Sequence, residues 1–185
     1  MGELSVRAAS LADAPALSGI YAHYVDHTAI TFEYVAPTAD EFAARMAKTM
    51  ERYPYLVACL DGRAVGYAYA GTFKDRAAYQ WACETTIYVA PGCRRTGVGR
   101  MLYERLEAEL CRMGIINLYA CIAYAQLEDE YLTHDSVCFH ERVGYTLCGT
   151  FRKCGYKFGR WYDMVWMEKA ISAHPASPHA PLPPA

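Results

Sequence analysis

One segment constrains this chain more than any other. A strand-like run ends in Ile87-Tyr88-Val89, Pro91-Gly92 breaks it, and Arg94-Arg95-Thr96-Gly97-Val98-Gly99-Arg100 follows. Beyond the glycines, Val98, Met101, Leu102, Leu106, Leu110 and Met113 trace one face of a helix, and Gly114 is a stop signal. A glycine-rich loop between a strand and a helix is built to cradle phosphate. The glycines allow close backbone approach, the first-turn N–H groups converge, and the helix end and arginines add positive charge. Two better-known phosphate loops are excluded. A dinucleotide fingerprint needs glycine where Leu102 stands, and a Walker A loop needs Gly-Lys followed by Ser or Thr. A glycine-containing loop with no ligand is the bland alternative, and Gly-x-Gly alone does not exclude it.

The rest of the chain reads as alternating strands and helices. Leu4 and Val6 suggest a first strand. Ser10 with Asp13, and Thr38 with Glu41, look like helix-start boxes ahead of helices over Leu11–Asp26 and from Thr38 to the break at Pro54. Tyr55–Leu60 and Ala64–Phe73 read as a hairpin turned at Asp61-Gly62-Arg63, and Thr85–Val89 as the next strand. Ile115–Ala123 follows the long helix as a strand. Ser136–Val143 reads as a short helix, and Tyr145–Phe151 and Trp161–Met167 as closing strands. The expectation is one mixed α/β (α+β) domain over residues 1–171. The tail, 172–185, is rich in Pro, Ala and His and is expected to be disordered.

Composition narrows the function. A length of 185 residues suits a single buried core, and 54% hydrophobic with 21% charged residues is globular. A net charge of −2 gathers neither nucleic acid nor anionic membrane, and no run approaches the roughly 20 apolar residues of a membrane span. The 16 tyrosines lack an accompanying basic stripe, so they read as packing rather than base stacking. No secretory leader is legible at the start, so the expected compartment is the cytoplasm. The eight cysteines contain no C-x-x-C pair and are expected to be reduced, mostly buried thiols. His23 and His27 lie four apart, but no third ligand or adjacent glutamate accompanies them. They read as a solvated or site-lining pair, with no metal.

Arg94-x-x-Gly97-x-Gly99, placed after Ile87-Tyr88-Val89 and opening a helix, resembles the acetyl-CoA pyrophosphate loop of the GNAT superfamily of N-acetyltransferases. The order of elements resembles that fold from about Leu4 to Glu168, which implies a central, mostly antiparallel seven-stranded sheet flanked by about four helices. Within the superfamily, Phe73-Lys74-Asp75-Arg76-Ala77-Ala78-Tyr79-Gln80-Trp81 resembles the substrate loop of the phosphinothricin and methionine sulfoximine acetyltransferases. Glu84-Thr85-Thr86-Ile87-Tyr88-Val89 resembles their acidic strand. Phe139-His140-Glu141-Arg142-Val143-Gly144-Tyr145 and Gly155-Tyr156-Lys157-Phe158-Gly159-Arg160-Trp161-Tyr162-Asp163 extend the likeness to about half the chain.

The resemblance implies roles. Backbone N–H groups around Arg95, Thr96, Gly97, Val98, Gly99 and Arg100, with Arg94, hold the pyrophosphate of acetyl-CoA. The backbone of Ile87, Tyr88 and Val89 pairs with the pantetheine arm like an added strand. Asp135 and Ser136 border the same arm. Family members carry Asn where Thr133 stands here, and Gln126–Leu132 reads as an insertion whose Glu128, Asp129 and Glu130 add negative charge near the site mouth. Lys74, Arg76 and Tyr79 suit an acidic ligand, and by resemblance Phe32 and Glu33 shape the opposite wall. Glu84 is the candidate general base, because an amine of pKa about 8 must lose a proton before it attacks a thioester. His140 is a second candidate for proton handling, although a lone histidine is more often structural.

The expected activity is direct acetyl transfer from acetyl-CoA to the amino group of a small amino-acid-like substrate. Two alternatives stay open. One is a GNAT enzyme for another amine: a polyamine, an aminoglycoside or a peptide N-terminus. The other is an acetyl-CoA-binding sensor without catalysis. A homodimer is compatible with the resemblance, and composition does not decide it.

Overall fold

The computed structural model of the chain describes residues 2–184; Met1 and Ala185, the outer ends of the expected domain and tail, lie outside the described residues. Seven strands and four α-helices alternate along it. They are β1 (Leu4–Ala8), α1 (Ala14–His27), α2 (Ala39–Met50), β2 (Tyr55–Leu60), β3 (Arg63–Thr72), β4 (Ala82–Val89), α3 (Val98–Met113), β5 (Asn117–Tyr124), α4 (Asp135–Arg142), β6 (Thr146–Lys157) and β7 (Arg160–Ala170). The strands form one sheet in the order β1-β2-β3-β4-β5-β7-β6. Every neighbouring pair is antiparallel except β4 and β5.

Local signals account for most boundaries. The Thr38 hydroxyl accepts from Glu41 N while the Glu41 carboxylate accepts from Thr38 N, so α2 starts on a reciprocal cap. At the first helix the Asp13 carboxylate accepts from Ser10 N and is held by Arg7 at 2.6 Å. Leu11–Asp13 is one 3-10 turn, and the α-helix begins at Ala14 with Pro15 in its first turn, where a missing N–H costs nothing. The strand expected over Thr85–Val89 starts three residues earlier, at Ala82, which puts Glu84 inside it. β6 and β7 also run beyond the expected Tyr145–Phe151 and Trp161–Met167. The polar middle of β6 hides the pattern, because its ladder with β7 is shifted between Phe151 and Gly155. The Asp163 carboxylate pins that irregularity by accepting from Lys153 N at 2.7 Å.

The sheet is buried on both faces. On one, Leu56, Ala58, Ala68, Ala70, Leu118 and Ala120 pack against Leu102, Leu106 and Leu110 of α3. On the other, Tyr55, Val57 and Tyr67 pack against Leu17 and Tyr21 of α1 and Phe42 and Met46 of α2. Each large apolar side chain so buried stabilises the fold by about 1.5–3 kcal/mol. No described helix is long and apolar enough to cross a membrane.

Two expectations differ from the structure. The tail after Ile171 has no regular secondary structure, yet it lies along the body. Trp81 Nε1 donates to His179 O at 2.7 Å, and Leu182 N donates to Met113 O at 2.8 Å, a carbonyl left over at the end of α3. The cysteines are all free among the described residues, but only Cys59 and Cys83 are buried; Cys111, Cys121, Cys148 and Cys154 are exposed. Alternation along β5 and β6 and the outer face of α3 turn those thiols outward.

Candidate active site

The parallel pair β4–β5 is short. Ala82, Cys83 and Glu84 pair with Asn117, Leu118 and Tyr119, and there the ladder ends. Beyond it the edge of β4 from Thr85 to Val89 no longer faces a partner strand. The Thr85 hydroxyl spans the fork by donating to Tyr119 O at 3.2 Å. A cleft of about 480 Å³ opens past the fork, walled by Ile87, Tyr88 and Val89, by the start of α3 and by α4.

Part of the arginine-glycine loop lines this cleft. Arg94, Arg95, Gly97, Gly99 and Arg100 line it, as do Asp135 and Ser136. Gly97, at φ 91°, stands immediately before α3 in a left-handed conformation that a side chain would strain. Thr96 turns away and donates to Cys93 O at 2.7 Å, and Val98 is buried in the core; neither lines the cleft. Asp135 is engaged by Arg95 at 3.0 Å, an exposed pair of small energetic worth. Thr133 lines the cleft at the position where asparagine was expected.

Several lining groups escaped the sequence reading. Tyr24 of α1 donates its hydroxyl to Val89 O, and the Arg94 guanidinium lies 5.3 Å from the centre of its ring. Phe139 and Arg142 come from α4. In the sequence Tyr24 is one more apolar position on a helical face, so only packing identifies it.

Glu84 is half-buried at the last paired position before the fork. Burial raises its carboxyl above the ordinary value, and the Lys74 ammonium pulls it part of the way back. Lys74 lies over the rings of Phe73 (5.1 Å) and Trp166 (5.9 Å), and Phe73 stacks on Tyr119 at 4.2 Å. Lys74 and Glu84 are thus close enough to interact through their charges. Tyr79 is exposed and meets Phe73 edge-on at 5.9 Å, and Arg76 is exposed just before the 3-10 turn Ala77–Tyr79. On the α1–α2 connection, Phe32 lies where any side chain at Gly155 would have to be. Glu33 is held by Arg45 at 2.7 and 3.2 Å and by the Tyr21 hydroxyl at 3.0 Å.

Two expectations need correction. His140 does not reach the cleft. It is buried, its Nδ1 lies 2.7 Å from Ser136 O and its Nε2 2.9 Å from the Tyr103 hydroxyl. Facing a carbonyl, Nδ1 carries the hydrogen, so Nε2 accepts from Tyr103. Burial pushes its pKa down to about 4, against the opposing bond to Ser136. It is a neutral strut between α3 and α4 rather than a proton carrier. The negative charge of the 126–132 segment is offset in part. Arg160 binds Asp129 at 2.9 Å and Glu130 at 2.9 Å, the Tyr162 hydroxyl donates to Asp129, and Glu128 accepts from His134 N.

Comparison with known proteins agrees with this geometry. Residues 6–166 match the acetyltransferase (GNAT) domain family. A phosphinothricin N-acetyltransferase of Streptomyces viridochromogenes is 35% identical over 95% of this chain and 91% of its own length. An L-methionine sulfoximine/L-methionine sulfone acetyltransferase of Salmonella typhimurium is 30% identical over 94% of this chain and 98% of its own. A GNAT superfamily phosphinothricin acetyltransferase from Sinorhizobium meliloti, solved in complex with acetyl-CoA, superposes with a TM-score of 0.82. It is 31% identical and covers 90% of this chain and 88% of its own. With a forked parallel strand pair, an arginine-glycine loop at a helix start and relatives matched over nearly their whole length, the chain belongs to the GNAT family as an acetyl-CoA-dependent N-acetyltransferase.

Proposed function

We propose that the chain acetylates the α-amino group of a small amino acid of the phosphinothricin or methionine sulfoximine kind, by direct transfer with Glu84 as base. The observation that carries this reading is the half-buried Glu84 carboxylate, beside Lys74, at the fork from which the cofactor cleft opens. Acetyl-CoA supplies a thioester carbonyl there as the electrophile. The cleft suits it: N–H groups of the loop between Arg94 and Arg100 would hold the pyrophosphate. The open edge of Ile87, Tyr88 and Val89 would pair with the pantetheine arm, and Asp135 and Ser136 would border it.

On the amine side, a raised carboxyl pKa makes Glu84 a stronger base toward an ammonium group of pKa about 8. Lys74 is the cation for the substrate carboxylate, with Arg76 and Tyr79 on the same loop at the outer rim, and Phe32 and Glu33 form the far wall. Names of the relatives support an amino-acid acceptor over a polyamine or aminoglycoside. A thiol-release assay with acetyl-CoA across amino acids, polyamines, aminoglycosides and peptides tests the proposal. Turnover confined to amino acids is expected. Acetyl-CoA binding with no turnover on any amine leaves a sensor instead.

A further inference from the structure

Beyond β7 the chain crosses the starts of two neighbouring strands and reaches the end of α3. Ile171 N donates to Ile116 O at 2.9 Å. His174 Nε2 lies 3.0 Å from the side-chain oxygen of Asn117, the first residue of β5. His179 O accepts from the indole of Trp81, one residue before β4, at 2.7 Å. Leu182 N donates to Met113 O at 2.8 Å. Half of the positions from 175 to 184 are proline, which fixes φ and lowers the entropy lost when the segment docks.

Trp81 links this segment to the site. It closes the connection between β3 and β4, the Phe73–Trp81 loop that the proposed function gives to the acceptor. The near end of the loop is fixed because Phe73 stacks on Tyr119 at 4.2 Å, and Tyr119 pairs with Glu84. The far end is fixed at Trp81 by two separate parts of the chain. Its carbonyl accepts from Ile116 N and Asn117 N at 2.8 and 3.0 Å, and its indole donates to the segment after β7. Between these ends, residues 74–79 are all exposed. Among the described residues, the hydrogen bonds of 74–80 stay inside the loop: Tyr79 N to Arg76 O at 2.9 Å and Gln80 N to Ala77 O at 3.1 Å. An exposed loop without a hydrogen bond to the body takes its position from its two ends.

Resting on the proposed amino-acid activity, we infer that residues 171–182 form a strap that positions the acceptor loop through Trp81. The strap ties the indole at its one polar atom, and β4 runs from Trp81 to Glu84 three residues later. With the indole released, the loop end is held by the Trp81 carbonyl alone, and Lys74, Arg76 and Tyr79 spread over more positions relative to Glu84. The cofactor cleft takes no lining residue from the strap or the loop, so the effect falls on the acceptor.

The test uses the full chain with two strap variants. Trp81→Phe keeps an aromatic ring and removes the donor. Leu182→Pro removes the N–H that seats the segment on α3, at an exposed side chain. Lys74→Ala probes the loop itself. Thiol release gives kcat and KM for L-methionine sulfone, phosphinothricin and acetyl-CoA, and hydrogen exchange reads the Tyr79 and Gln80 amides.

Each strap variant is expected to speed that exchange and raise the acceptor KM, both about fivefold, the weight of one hydrogen bond. The kcat and the KM for acetyl-CoA stay unchanged. The double variant is expected to match the stronger single one rather than reach about 25-fold, because both release one strap. Unchanged exchange in both variants overturns the strap. So does a multiplicative double variant, or an equal rise in KM for acceptor and acetyl-CoA. If Lys74→Ala raises the acceptor KM and the strap variants do not, the strap falls and the loop's role stands. If none of the three moves it, the loop does not read the acceptor, and both readings fall. Absence of turnover on either amino acid, with acetyl-CoA still bound, overturns the amino-acid activity and the strap's role with it.

Discussion

Replacing Glu84 with Gln keeps the shape of the side chain and removes only its ability to accept a proton. Tyr69, Tyr119 and the β4–β5 ladder keep their packing, so the fold and the cofactor cleft are expected to be unchanged. A positioned general base contributes about 10²- to 10⁴-fold, or roughly 3–5.5 kcal/mol of barrier. Lys74 is left without its carboxylate neighbour, which further disfavours a bound ammonium group, so kcat should fall toward the upper end of that range.

The pH profile gives a sharper reading. In the parent the base must be ionised, and because burial raises the Glu84 pKa, the acid limb of kcat lies above the ordinary carboxyl range. In the variant the only route is an amine already neutral in solution. Its rate should rise about tenfold per pH unit up to about pH 8, where a free α-amino group titrates. Thiol release from pH 5 to 9, with acetyl-CoA affinity measured separately, decides the matter. A loss below about fivefold with an unchanged profile would refute the assignment. So would equal losses in turnover and cofactor affinity.

Two further outcomes follow from buried titratable groups. His140 has a folded pKa near 4 against about 6.5 unfolded, so the unfolded chain takes up a proton first as pH falls; about 3 kcal/mol of stability, full above pH 6.5, is lost between pH 6.5 and 4. Denaturant titrations across that window check this, and His140→Gln should flatten the slope. Lys157 is buried with its ammonium donating to Val25 O and Thr31 O at 2.7 and 2.8 Å. Lys157→Met should cost about 2–3 kcal/mol in urea melts, two lost charged hydrogen bonds partly offset by relief of desolvation. A loss under about 0.5 kcal/mol would mean the ammonium is no clamp.

The hairpin that carries Lys157 explains a stretch that could be recognised in the sequence but not interpreted. Gly155 leaves room for Phe32, Lys157 ties down the carbonyls at the end of α1, and Arg160 and Tyr162 hold the 126–132 segment. Two loops bordering the site are therefore set by residues more than twenty positions away from either of them. That is why two acids of the segment, read as charge at the site mouth, turn out to be tied to one arginine of the hairpin.

What the sequence determined by itself is whatever rests on local rules. Thr38 and Glu41 cap α2 through groups three residues apart, and Asp61-Gly62 turns a hairpin. The arginine-glycine loop between a strand and a helix converges N–H groups wherever it occurs, and the alternation along β4 separates Glu84 from Ile87. Tertiary structure alone decided where β4 and β5 part, that Tyr24 closes on Val89, that His140 is a strut, and that five tyrosines and Arg45 line a second cavity. A histidine or tyrosine in a helix or strand has the same local signature whether it meets water, a core neighbour or a ligand. Only the elements packed against it set its partners, its charge and its access to solvent.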